Sequence, residues 1–171
     1  MQLYRKIIPK IARDTIRDLG TKKLIEVEDG KQDEAELDLA AVMVEYLNAE
    51  DRINKEARDF LARRGLSSDR FAQAKKSVAQ MYGLKVGDEA LDHILDQICE
   101  AMFASKNIAE IFAEDAELRK NIRDTMDRYL SISEDLDIEA RRRLKNLREG
   151  SPEWDIEYPR MVAQLKRQKG L

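Results

Sequence analysis

The chain has 171 residues, of which 38% are charged and 6% aromatic, with seven glycines and three prolines. This composition is typical of a helical protein with solvated faces, and the length allows a buried core in one or two small domains. The single cysteine excludes an internal disulfide and no stretch approaches the ~20 apolar residues of a membrane span, so we expect a cytoplasmic protein without a membrane anchor.

The first half of the chain predicts three helices. Apolar residues between 8 and 19 recur at the spacing of one helical face. The apolar run at 24–27 follows, and its β-branched residues fit either a short strand or a helical turn. A long helix is predicted from about residue 33 to residue 64. Gly65 separates it from a third helix, because glycine readily adopts the positive φ at which helices end.

The second half predicts the same series of elements. An apolar face spans residues 91–102, and the run at 108–112 again fits a strand or a helical turn. A second long helix is predicted from about residue 115 to residue 148, followed by a last helix. The sequence therefore predicts an all-α protein with, at most, minor β pieces.

An internal repeat explains this similarity. Sliding the sequence against itself by 83 positions places residues 43–61 over residues 126–144. Seven of these nineteen pairs are identical, where chance would give about one. We predict a tandem duplication of a three-helix unit, with the first copy at 1–85 and the second at 86–171. The copies are expected to pack as one compact domain about a pseudo-two-fold axis, with their long helices antiparallel or side by side, so that a monomer mimics a homodimer.

The segment EGSPEWDIEYPR at 149–160 contains the only tryptophan of the chain. Gly150 suits the end of the long helix, and Ser151 with the proline after it suits the N-cap and first turn of the next helix. Trp154 corresponds to Phe71 in the repeat. An aromatic side chain at the same point of both copies is expected to pack the last helix onto the long one.

This segment is similar to the C-terminal signature of a bacterial family of unknown function, the one named domain of unknown function 507. The matching residues are Gly150, Ser151, Glu153, Trp154, Asp155 and Tyr158. The runs LYRKIIPKIARDTI and EYLNAEDRINKEAR also resemble the family, so the resemblance spans nearly the whole chain. It implies a helical cytoplasmic protein and transfers no catalytic residues. Pro159 departs from the family pattern, and we expect the last helix to bend or restart there.

The net charge of −3 is the sum of five blocks that alternate between positive and negative charge along the chain. Residues 1–24, 60–87 and 141–171 each carry +5, whereas residues 25–59 carry −8 and residues 88–140 carry −10. We expect the basic ends of the long helices to pair with the acidic starts of the partner long helices, which needs no ligand. The alternative is a phosphate-binding surface. Its candidate phosphate contacts are Arg141, Arg142, Arg143 and Lys145.

No group of residues predicts catalysis, a cofactor or a metal site. A carboxylate-bridged metal centre needs histidines on two helices, but His93 is the only histidine. We expect His93 at the surface or the edge of the core. Cys99 lies on an apolar helical face and is expected to be buried. Phosphate-binding loops and nucleophile motifs are absent from the sequence, so we expect a protein that is not an enzyme.

The expected function is recognition of an unidentified protein partner by a cytoplasmic helical adaptor or assembly factor. Trp154, Asp155 and Tyr158 are the candidate protein contacts, because tryptophan and tyrosine dominate binding hot spots. The alternative is an accessory protein of RNA or the ribosome that uses the basic helix ends. The isoelectric point near 5.4 disfavours a dedicated nucleic-acid binder.

Overall fold

The computed structural model describes residues 3–169, so the outermost ends of the two predicted copies lie outside the described residues. Apart from three single turns of 3-10 helix, this part of the chain forms six helices and two short strands. The helices are α1 (Ile8–Thr21), α2 (Gln32–Arg63), α3 (Phe71–Met81), α4 (Ala90–Ala104), α5 (Asp115–Arg143) and α6 (Pro152–Gln168), and the strands are β1 (Ile25–Val27) and β2 (Ile108–Ile111). The fold is therefore all-α with a minor β element, as predicted. No helix within residues 3–169 is long and apolar enough to cross a membrane.

The two apolar runs that the sequence left open are strands, and they pair with each other. In this antiparallel sheet Ile25 lies opposite Ile111, and Val27 lies opposite Ile108. A strand of three or four residues is not stable by itself in water, so each run depends on the other half of the chain for its conformation. The sheet thus ties the first half of the chain to the second.

The element order helix, strand, long helix, helix occurs twice along the chain. The second long helix starts at Asp115, 83 positions after the start of the first at Gln32. Met43 and Met126, which the same offset pairs, are both 0% exposed. These positions agree with the offset found in the sequence, and the duplication itself stays a prediction.

One hydrophobic core joins the two halves. It combines apolar residues of α1 and α2 with those of α4 and α5, among them Ile11, Leu39, Ile94 and Ile122. Both shorter helices, α1 and α4, pack against both long helices. The two long helices do not pack along each other as expected, because α1 and α4 are the helices from the core that contact each of them.

The C-terminal parts of the long helices extend beyond this core and carry small clusters of their own. One cluster joins α2 to α3 around Ala57 and Val78. The other joins α5 to α6 around Ala140 and Val162. We call residues 53–81 the first arm and residues 136–168 the second arm. The two arms belong to different halves of the chain and have separate apolar clusters.

α5 ends earlier than the sequence predicted. It stops at Arg143 rather than near Arg148, and a short turn leads to Gly150. The turn folds Glu149 back so that its carboxylate pairs with Arg141 at 2.7 Å. In a continuous helix these two residues would lie about 12 Å apart along the axis. Gly150 adopts the predicted positive φ, at 81°, but it ends this turn rather than the helix.

α6 begins as the sequence predicted. The Oγ of Ser151 accepts a hydrogen bond from the backbone N–H of Trp154 at 3.2 Å, and Pro152 occupies the first turn. At the equivalent position of the first half, Ser68 does not cap α3, because it lies inside a 3-10 turn through which the chain enters that helix. The prediction of a restart at Pro159 is wrong, since α6 continues through that residue.

Candidate functional site

A cleft separates the first arm from the second arm. Its distal part lies between residues 58–72 and residues 148–155 and has a volume of about 730 Å³. Its proximal part extends to residues 3–6 and has a volume of about 800 Å³. Both parts are lined by Arg58, Phe71, Glu149, Trp154 and Asp155. The candidate contact segment of the sequence therefore forms one wall of a cleft whose other wall comes from the first half of the chain.

Two arginine–aromatic pairs line this cleft from opposite arms. The guanidinium carbon of Arg58 lies 5.6 Å from the centre of the Phe71 ring. The guanidinium carbon of Arg141 lies 5.5 Å from the centre of the Trp154 ring. Both distances are within the range of cation–π contacts. The two arginines are 83 positions apart, as are the two aromatic residues, so the sequence offset places the same pair on each wall.

The three candidate protein contacts lie together on α6 but differ in exposure. Trp154 is only 8% exposed, and its ring stacks on that of Tyr158 at 5.2 Å. It packs α6 onto α5, as the sequence predicted, and offers a partner little surface. The carboxylate of Asp155 is exposed and reaches to within 3.9 Å of Arg58 across the cleft. Of the three, Asp155 is thus the side chain most available to a partner.

Tyr158 links three segments at the proximal end of the cleft. Its hydroxyl donates a hydrogen bond to the carboxylate of Asp137 and lies 3.3 Å from the hydroxyl of Tyr4. Burial, and then the hydrogen bond to Asp137, raise the pKa of Tyr158 above its usual value. The phenol is therefore a neutral donor near neutral pH. It fixes α6 to α5 and to the segment before α1.

Arg141, a candidate phosphate contact, is held by two carboxylates. It pairs with Asp137 at 2.9 Å and with Glu149 at 2.7 Å. The hydrogen bond to Glu149, together with that to Asp137, raises the pKa of Arg141 above its usual value. A phosphate would have to compete with both acids, so Arg141 serves the structure of the second arm.

The next two candidate phosphate contacts are also paired. Arg142 and Arg143 contact Glu139 at 2.6 Å and 2.8 Å. These two arginines do not pair with the acidic start of the partner long helix, because a single acid of their own helix, Glu139, lies three and four residues before them and pairs with both. Lys145 is exposed, and it has no ion pair within 4.0 Å among the residues that the structure describes. The four bases thus do not form one free phosphate site.

Arg58 and Tyr4 line the cleft but were not among the candidates predicted from the sequence. One feature of the sequence did point to Arg58. It is identical to Arg141, its equivalent in the repeat, whereas most of the other identical pairs are apolar or aromatic. The neighbouring Glu56 is a second polar identity, with Glu139, so this signal by itself did not distinguish Arg58 as a residue of the site. Tyr4 had no such signal, because its position depends on how the N-terminal segment packs beside α6.

The isolated reactive residues lie away from the cleft lining. His93 is at the edge of the core, as expected, with its ring centre 6.1 Å from that of Tyr46. Cys99 is partly buried against the core, and this burial raises the pKa of its thiol, which disfavours the nucleophilic thiolate. Between residues 3 and 169, no three side chains of the His, Cys, Asp and Glu types are grouped so that they could hold a metal ion.

Comparison with known proteins agrees with the resemblance noted in the sequence. The model of a family described as "Protein of unknown function (DUF507)" matches residues 1–171, the whole chain. No match was found among the curated proteins. The description of the family states no activity, so the geometry of the cleft is the basis for a functional proposal.

Proposed function

Since the chain belongs to the family described as "Protein of unknown function (DUF507)", we propose a function from the cleft itself. The protein is a cytoplasmic helical adaptor or assembly factor that binds a segment of a partner polypeptide between its two arms, without catalysis. The observation that carries this proposal is the presence of two equivalent arginine–aromatic pairs on the opposite walls of one cleft.

The composition of the walls supports a polypeptide as the occupant. The distal part combines apolar side chains, such as Leu61 and Leu66, with charged ones, such as Asp69 and Arg148. Mixed apolar and charged surfaces with aromatic and arginine side chains are typical of protein–protein interfaces. A peptide segment can fill the apolar surface with its side chains and satisfy the charges with its backbone and polar groups.

RNA stays the second candidate, and the cleft supports it less. Single-stranded nucleic acid binds by stacking bases on open aromatic faces. Trp154 is covered by Tyr158 and Arg141, and Phe71 is covered by Arg58.

Site-specific crosslinking tests the proposal. Ala72 is exposed and lines the distal part of the cleft, so a photo-crosslinking residue at this position would report a partner in the cleft. The same residue at Ala116, which is exposed near the start of α5 and outside the cleft lining, is the matched control. We expect a polypeptide to crosslink at position 72 in cells of the source organism and not at position 116.

A steric variant completes the test. Ala72→Trp fills part of the cleft from an exposed position and should leave the fold intact, as should the control Ala116→Trp. The crosslinked partner, once purified, should bind wild-type protein and the control but lose most of its affinity for Ala72→Trp. Equal binding to all three proteins would show that the partner does not occupy the cleft.

A further inference from the structure

The charges of the proximal part of the cleft do not balance. Each acid that lines it has a basic partner from the same lining. These pairs are Glu50 with Lys75 at 2.7 Å, Asp51 with Arg5 at 2.7 Å, Glu149 with Arg141 at 2.7 Å, and Asp155 with Arg58 at 3.9 Å. Two lining bases, Lys6 and Lys166, have no acid within 4.0 Å among the described residues. The cleft therefore has an excess of positive charge at one end.

A third lysine adds to this excess. Lys6 lies in the 3-10 turn that leads into α1, and Lys10 lies four residues later in the first turn of α1. Lys166, on α6, lies with its Nζ 4.0 Å from the centre of the Tyr4 ring. Burial, and then the charges of Lys6 and Lys10, lower the pKa of Lys166, so both lysines disfavour the charge of the Lys166 ammonium group. We call these three residues the lysine cluster.

We propose that the lysine cluster binds the carboxylates of an acidic stretch in the partner polypeptide. This inference rests on the proposed function, because Lys6 and Lys166 line the proximal end of the same cleft and Lys10 lies one helical turn beyond Lys6. A carboxylate placed among three lysines would relieve their repulsion and make charge-assisted hydrogen bonds. The partner segment thus has an apolar portion beside Phe71, in the distal part of the cleft, and an acidic portion at Lys6, Lys10 and Lys166.

The geometry of α6 sets the spacing between these two portions. Trp154 and Lys166 are twelve residues apart in one helix, which corresponds to about 18 Å along its axis. An extended segment covers this distance in about six residues, and a helical segment needs about twelve. The acidic residues of the partner should therefore follow or precede its apolar anchor by one of these intervals.

Selection from a random peptide library tests the inference. Peptides of about 12 residues are long enough to cover the cleft in either conformation. Peptides that bind wild-type protein but not Ala72→Trp are cleft binders. We expect these to be enriched in aspartate and glutamate, at one of the two intervals from an apolar residue. Synthetic versions should bind more weakly as the salt concentration rises.

Charge-removing variants identify the lysines. Lys6→Gln combined with Lys10→Gln changes two exposed residues, so it should leave the fold intact and weaken binding of the acidic peptides about tenfold. Adding Lys166→Gln should weaken it further. The matched control is Lys106→Gln combined with Lys120→Gln, which removes the same charge from exposed positions outside the cleft lining and should leave the affinity unchanged.

The outcomes separate this inference from the proposed function. Two results would overturn the lysine cluster as the binding site for acids. The cleft-binding peptides could lack an excess of acids, or they could bind the lysine variants and the wild type with equal affinity. Either result would still be consistent with a cleft that binds peptides. The absence of any cleft-binding peptide would overturn both. A uridine oligonucleotide that binds through the lysine cluster while acidic peptides do not would show that RNA, rather than a polypeptide, is the ligand.

Discussion

The guanidinium of Arg141 lies over the ring of Trp154, with its central carbon 5.5 Å from the ring centre. Arg58 has the equivalent position over Phe71, but its surroundings differ. Arg141 is held by two carboxylates at 2.9 Å and 2.7 Å. Arg58 is 57% exposed and approaches one carboxylate, across the cleft, at 3.9 Å. The same local pair is thus a structural contact in the second arm and an accessible contact in the first.

Arg141→Gln and Arg58→Gln should therefore differ in stability. Arg141→Gln removes two close charge-assisted hydrogen bonds and the contact with Trp154, so we expect the free energy of unfolding to fall by ~2 kcal/mol. Arg58→Gln should change it by less than about 0.5 kcal/mol, because exposed ion pairs contribute little. Urea unfolding followed by the fluorescence of the only tryptophan measures both changes. Equal losses would mean that the paired acids of Arg141 add nothing to the second arm.

The N-cap of α6 gives a second pair of matched variants. Ser151→Ala removes the side-chain oxygen that accepts the Trp154 N–H, and it should lower the free energy of unfolding by ~1 kcal/mol. Ser68→Ala changes the residue at the equivalent position, which is exposed within a 3-10 turn, and should cost less than about 0.5 kcal/mol. Chemical denaturation of both proteins checks the difference. A larger loss in Ser68→Ala would contradict the cap assignment.

Substitution of Gly150 tests how much its backbone conformation contributes to stability, because a side chain at this position would cause no steric clash. A Cβ at this position would meet nothing within 4 Å, but the φ of 81° is unfavourable for other residues. Gly150→Ala should therefore lower the free energy of unfolding by ~1 kcal/mol. Gly20→Ala is the control, because Gly20 is helical and equally open, and alanine there should raise stability by about 0.5 kcal/mol. Thermal or urea unfolding of the pair should show opposite signs.

Features that depend on a few adjacent residues could be predicted from the sequence. The positive φ of Gly150 and the cap made by Ser151 follow from the local chemistry of these residues. The offset of 83 positions also located both long helices. The strand at Ile25–Val27 could not be distinguished from a helical turn, because it exists only through pairing with Ile108–Ile111 in the other half.

The site was harder to predict, because its walls come from different halves. Trp154, Asp155 and Tyr158 were selected from one segment, but the lining also includes Arg58 and Phe71 from the first arm. Their approach depends on how the two arms extend from the shared core, which no local pattern reports. The early end of α5 was also not predicted, because Glu149 meets Arg141 only after the chain has turned back, a contact that local periodicity does not report.

Tyr158 predicts a pH dependence of stability. Burial and the hydrogen bond to Asp137 raise the pKa of its phenol in the folded protein above the usual value of 10.0. The folded state therefore retains this proton at a pH where the unfolded state loses it. The stability that the neutral phenol contributes is fully present below about pH 10 and is lost as the pH rises through the raised pKa. Tyr158→Phe removes this contribution, which we expect to be ~1–2 kcal/mol at neutral pH.

The difference between wild type and Tyr158→Phe isolates this residue, because the other tyrosines titrate in both proteins. We expect the gap in the free energy of unfolding to be constant between about pH 7 and pH 9 and to shrink above about pH 10, as measured by urea unfolding with circular dichroism. Parallel curves up to the highest accessible pH would show that the folded phenol titrates as it does in the unfolded chain. Tyr158 would then not act as a neutral donor to Asp137, and α6 would be held to α5 by the apolar cluster around Ala140 and Val162 and by the contact of Trp154 with Arg141.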